Sequence, residues 1–258
     1  MQLCQESLYH AVAILDMVLH KRDVDPERLQ LVGIASLLLA SKLEEYYPAN
    51  SDKLIHLTEN AYTKVQLYQM ERTVLSVMEF QVTAYYLFIN LITFPLQIYI
   101  PSPQLFLLRY TKAALREDDD QFAETCFYLL DSHLTNSLHS TIGNSKLAAA
   151  AVLSSCLLYH QSANPESLPA LPELWTPTLQ HYSGISLHQV KDVLSVVSNM
   201  LDMLRLNIEN KNSDKVAGTY NKYKSMSQHK RLVLAKHLQI RVVAISLQSV
   251  EDWLCEIQ

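Results

Sequence analysis

The sequence predicts an all-α fold made of two tandem units, each of about five helices around one apolar central helix. Three observations predict it. Apolar residues recur at three- and four-residue intervals along most of the 258 residues. Turn residues are scarce, with only 4 glycines and 9 prolines, whereas sandwiches, barrels and propellers need them at short intervals. Two segments, Arg28–Glu45 and Lys146–His160, are apolar nearly all round, which marks them as buried helices. They occupy matching places in a similar order of helices, a weak internal repeat.

The elements follow in order. Glu6–His20 carries Leu8, Ala11, Val12, Ile14, Leu15 and Leu19 on an apolar stripe. Asp25-Pro26-Glu27 reads as an N-cap, a proline at the first helical position and an acid in the first turn. That helix runs to about Glu45, and Tyr47-Pro48 stops it. A short helix spans Ser51–Leu57, and Thr63 caps a longer one ending near Glu79. In the second half, Ser102-Pro103 opens a helix to about Arg116, and the next covers Gln121–His133. Ser145 opens the small-residue helix Lys146–His160, with Ala148–Ala151 at its centre. Thr176-Pro177 opens a short helix that Gly184 ends as a C-cap. Ser186 opens a long helix to about Glu209, followed by polar, basic loops from Asn210 to Lys230 and a last amphipathic stretch.

Composition excludes several function classes. Hydrophobic residues make up 49% and charged residues 18%, enough apolar material for a real core. Gly33, Gly143, Gly184 and Gly218 stand far apart, so no glycine loop can cradle a phosphate. The net charge of −5 is a poor footprint for a nucleic-acid binder. Cys4, Cys126, Cys156 and Cys255 show no CxxC spacing, so neither a zinc clamp nor a redox dithiol is indicated, and a reducing intracellular compartment is expected. No signal peptide is read at the N-terminus. The stretch Tyr85–Ile100 is broken by Asn90, Pro95 and Gln97, too short for a membrane span. There is no HExxH and no Glu-x-x-His. His133 and His139 fall in an expected loop, Ser154-Ser155 lack a nucleophile elbow, and Glu117–Asp120 reads as acids favoured at a helix start. No catalytic residue, metal or cofactor is expected.

Four strings carry a resemblance. Leu29-Gln30-Leu31-Val32-Gly33 continues to Ala40-Ser41-Lys42-Leu43-Glu44-Glu45-Tyr46-Tyr47-Pro48; Asn60-Ala61-Tyr62-Thr63-Lys64 leads to Gln69-Met70-Glu71 and Leu75. Further on come Trp175-Thr176-Pro177-Thr178-Leu179-Gln180-His181-Tyr182 and Asn221-Lys222-Tyr223 with His229-Lys230. Together they resemble the cyclins, particularly the mitotic A/B type and closest to the B type, over nearly the whole chain. The resemblance implies two cyclin boxes, the first lacking its first helix: residues 1–81 and 98–209, with an insertion at 82–97 and a tail at 210–258. It implies that Lys42 and Glu71 face a cyclin-dependent protein kinase, flanked by apolar contacts at Leu39, Leu43, Leu75 and Phe80. Leu39 and Lys42 are three apart and Glu71 and Leu75 four apart, so each helix sets a polar group beside an apolar one. Gln30 maps onto a substrate-docking patch whose other residues lie on the missing helix.

What the resemblance implies for function is a regulatory subunit that pairs with such a kinase as a heterodimer and activates it in mitotic progression, in the nucleus and cytoplasm. No nucleic acid and no membrane are expected as partners. A cyclin-box adaptor that activates no kinase, or an inactive truncated cyclin, stands as the alternative. Two readings of Val82–Gln97 remain open. It is translated intron sequence, since joining Phe80-Gln81 to Ile98 restores the family's pattern, or it is an interbox helix capped by Thr83 with Tyr85, Phe88, Ile89 and Ile92 on one face. The basic residues Lys222, Lys224, Lys230, Arg231 and Lys236 read as a solvated tail or an aid to nuclear import.

Overall fold

A computed structural model describes residues 3–80, 101–114, 120–136, 139–164 and 169–209, together with Tyr223, Val250 and Trp253. The insertion at 82–97, the acids at 117–119 and the basic residues of the tail lie outside the described residues. The chain divides into two compact units, Met1–Ser102 and Pro103–Gln258. Among the described residues all regular structure is helical.

The first unit holds α1 (Gln5–Lys21), α2 (Pro26–Glu44), α3 (Ser51–Leu57) and α4 (Lys64–Val77). Local chemistry sets their starts. The Asp25 carboxylate accepts from the Glu27 amide at 3.2 Å, with Pro26 in the first turn. Asn50 does the same for α3 through the Asp52 amide at 2.8 Å. Thr63 and Gln66 form a reciprocal capping box on α4. α2 is central: it packs against α1, α3 and α4. Its buried run from Leu31 through Ser41 explains why its sequence is apolar nearly all round. The core joins Ile14 and Val18 of α1 to Leu38 of α2, Leu54 of α3, and Leu67 and Val74 of α4.

The second unit holds α5 (Pro103–Ala113), α6 (Asp120–His133), a 3-10 turn (His139–Thr141), α7 (Asn144–Ala163), α8 (Leu171–Leu174), α9 (Pro177–Ser183) and α10 (Lys191–Glu209). α7 is its centre, packed against α5, α6 and α10, and its alanines let those neighbours approach closely. Gly184 ends α9 in the left-handed conformation, φ 69°, and Thr176 caps the helix's start. Trp175 is buried with its indole N–H on the Ile185 carbonyl at 3.0 Å. From the tail, Tyr223 donates its hydroxyl to Asp131 at 3.0 Å and sets its ring edge-on to Tyr128.

Three expectations are corrected. His133 closes α6, in line with the helix read over Gln121–His133 and against the loop reading, and is fully buried. α7 begins at Asn144 with Gly143 as its cap residue, because the Ser145 hydroxyl is engaged by Tyr110 at 2.8 Å. α10 begins at Lys191. Ser186 does bond Gln189, but its own carbonyl receives the Gln189 amide at 2.9 Å, which makes a turn ahead of the helix. The sequence predicts no element at α8, a single turn too short to show a periodicity.

Candidate functional site

Lys42 lies in the last turn of α2 and Glu71 in the middle of α4. Because these helices pack together, the Lys42 ammonium reaches the Glu71 carboxylate at 2.5 Å. The pair is lopsided: the lysine side chain is 44% exposed and the glutamate 11%. A half-exposed ion pair contributes only about 0–1 kcal/mol to stability. The lysine side chain faces solvent, while the glutamate is nearly covered. The capping box on Thr63 fixes the start of α4, and the Lys21 ammonium bonds the Val77 carbonyl at 3.3 Å at its end, so Glu71 sits on a helix tied down at both ends.

The apolar residues expected around the pair separate into two kinds. Leu39 is 6% exposed and belongs to the core, and Leu75 is half-buried against that core. Leu43 and Phe80 stand in the open at 43% and 74% exposure. The Phe80 amide bonds the Leu75 carbonyl at 2.8 Å, with Glu79 and Phe80 both at positive φ. That turn holds Phe80 one step beyond the end of α4. Gln30 is exposed near the start of α2, roughly 18 Å from Lys42 along the helix. The structure therefore brings Lys42 and Glu71 together, with Leu43 next to the one on α2 and Leu75 one turn from the other on α4, and leaves Gln30 toward the other end of α2.

Sequence reasoning missed the support beneath this end. Glu45 accepts from the Cys4 amide at 2.5 Å and the Ser7 hydroxyl at 2.8 Å, so the end of α2 caps the start of α1. These hydrogen bonds, the Cys4 amide first, hold the Glu45 carboxyl below its ordinary range. The adjacent Glu44 meets His10 at 2.9 Å. The Ser41 hydroxyl donates to the Leu38 carbonyl at 2.8 Å and accepts the Ala49 amide at 3.0 Å, folding the Glu45–Ala49 segment back onto α2. Tyr46 and Tyr47 are then presented to solvent, ring against ring at 4.8 Å. The two consecutive acids at 44 and 45 were the available signal, but only the fold shows which N-terminus they meet. Among the described residues no group of three or more His, Cys, Asp or Glu can hold a metal, and no helix is long and apolar enough to cross a membrane.

Comparison with known proteins bears on the family and the fold. The model of the cyclin N-terminal domain matches residues 1–83, and that of the cyclin C-terminal domain matches residues 101–237. A G2/mitotic-specific cyclin-B of Hydra vulgaris is 33% identical over 94% of this chain and 57% of its own length. A G2/mitotic-specific cyclin-B2 of Bos taurus is 31% identical over 87% of this chain and 48% of its own, and cyclin-A2-4 of Arabidopsis thaliana 30% over 87% and 44%. The chain thus spans about half the length of these relatives. A crystal structure of a viral cyclin from herpesvirus saimiri shares the fold, with a TM-score of 0.55 and 20% identity over 86% of this chain and 80% of that one. Two domain matches that together cover most of the sequence, and helices arranged as in a cyclin, lead to one conclusion: the chain belongs to the cyclin family.

Proposed function

We propose that this chain is a regulatory subunit that binds and activates a cyclin-dependent serine/threonine kinase during mitotic progression, as a heterodimer with it. The observation that carries the reading is the Lys42–Glu71 ion pair, whose half-exposed lysine is next in sequence to exposed Leu43. The mitotic names of the relatives support the cell-cycle role.

The mechanism is a shift of population. In a protein kinase, a glutamate on the αC helix must pair with the β3 lysine that orients the ATP phosphates. A rigid apolar surface with a charged pair at its centre binds only the αC position in which that contact forms, and so moves the kinase toward its active state. Lys42 donates to backbone carbonyls at the end of the switch helix, while Glu71 holds the lysine in place and accepts from backbone amides. In this reading every catalytic atom belongs to the kinase.

The test uses the whole chain and a purified cyclin-dependent kinase. Lys42→Ala or Glu71→Ala is expected to weaken binding by about 2–5 kcal/mol, as for truncation of a desolvated charged pair, with kinase activity falling in parallel and helix content unchanged by circular dichroism. Unchanged binding in both variants overturns the proposal. Tight binding without activation favours the adaptor reading instead. The same role places the chain in the nucleus and the cytoplasm, which fluorescence imaging of a tagged chain through mitosis checks.

A further inference from the structure

The geometry points to the outer surface of α5 and α9, in the second unit, as a docking site for an acidic, leucine-bearing peptide segment of a partner protein. α5 turns Leu105, Leu108, Arg109 and Lys112 outward at helical spacing, and all four are exposed. α9 packs against α5 and brings Tyr182, itself exposed, beneath Arg109, whose guanidinium carbon lies 5.6 Å from the ring centre. The His181 ring stands edge-on to Tyr182 at 5.4 Å.

Charge identifies the occupant. Neither α5 nor α9 contains an acid, so among the described residues of these two helices Arg109 and Lys112 set two cations on this face of a chain of net charge −5, with the His181 ring beside them. Among the described residues Arg109 and Lys112 form no ion pair. A guanidinium lying over an aromatic face gives up rotamer freedom before any partner arrives, yet keeps its edge for a carboxylate in a bidentate contact. The two leucines one turn away offer an apolar seat. Leu105 to Lys112 spans roughly 10 Å, the reach of two turns of a bound helix. A segment with a leucine one turn from a glutamate meets both halves of this surface.

The probe is a synthetic peptide with leucines and glutamates at helical spacing, titrated against the whole chain by fluorescence anisotropy, beside a twin in which lysine replaces each glutamate. The acidic peptide is expected to bind roughly tenfold or more tightly than its twin, and to weaken as salt rises. Arg109→Glu and Tyr182→Ala are each expected to weaken it by roughly tenfold, with unchanged circular dichroism, while Lys42→Ala leaves it unaffected. Equal affinity for the two peptides, no binding of either, or indifference to Arg109→Glu overturns the proposal. So does sedimentation showing a dimer that Leu108→Asp dissolves, which assigns the surface to a second copy of the chain.

Discussion

His133 and His139 illustrate how much one pair of side chains can differ from its sequence context. Their Nδ1 atoms face each other at 3.3 Å with ring centres 5.6 Å apart. One neutral ring donates and the other accepts. Burial, and secondly the neighbouring His133, lowers His139 to about 4, and burial lowers His133 below the usual imidazole range. The unfolded chain takes up these protons near pH 6.5, where the folded pair still resists them. Stability is therefore complete above about pH 6.5 and falls as the pH drops toward about 4. Thermal melts of His139→Gln are expected to show a flatter dependence over that window than the parent, by on the order of 1–3 kcal/mol at its acid end. The parallel outcome at the candidate site is legible without coordinates: Lys42 and Glu71 are named by their motifs, and the fold brings them into contact. What the motifs do not convey is exposure, since Leu39 and Leu43, four residues apart on one helix, end in core and solvent respectively.

At the scale of elements, helices whose starts carry their own chemistry were readable to within a residue or two. Asp25-Pro26 and Thr63 announce α2 and α4, and Thr176-Pro177 with Gly184 brackets α9. The misreadings share a cause. Ser145 and Ser186 look like caps, but each spends its side chain elsewhere, on Tyr110 and on a turn that precedes the helix. A serine's sequence position does not reveal which partner wins when tertiary contacts compete. Thr63 is the converse case, where both halves of the capping box are local. Thr63→Ala is expected to lower stability by about 1 kcal/mol, read from urea denaturation. If the chain pairs with a kinase as proposed, this cap lies outside the contact, and affinity is expected to fall less than in Glu71→Ala.

Over the whole molecule, the duplicated plan was visible as two apolar central helices, and each unit has its own core around one of them. The second core is dense: Leu147 through Leu153 of α7 are all completely buried. Leu153→Ala is expected to cost about 2–5 kcal/mol in the second unit, measured by chemical denaturation, since alanine neighbours leave little that can collapse into the cavity. The Ser41 hydroxyl in the first unit has a wider consequence. By gripping both Leu38 and Ala49, it settles the bend that bears Tyr46 and Tyr47 while the chain folds. Any protein that lands there meets a hard, pre-shaped aromatic corner, and no freedom has to be frozen out of that bend at the moment of encounter.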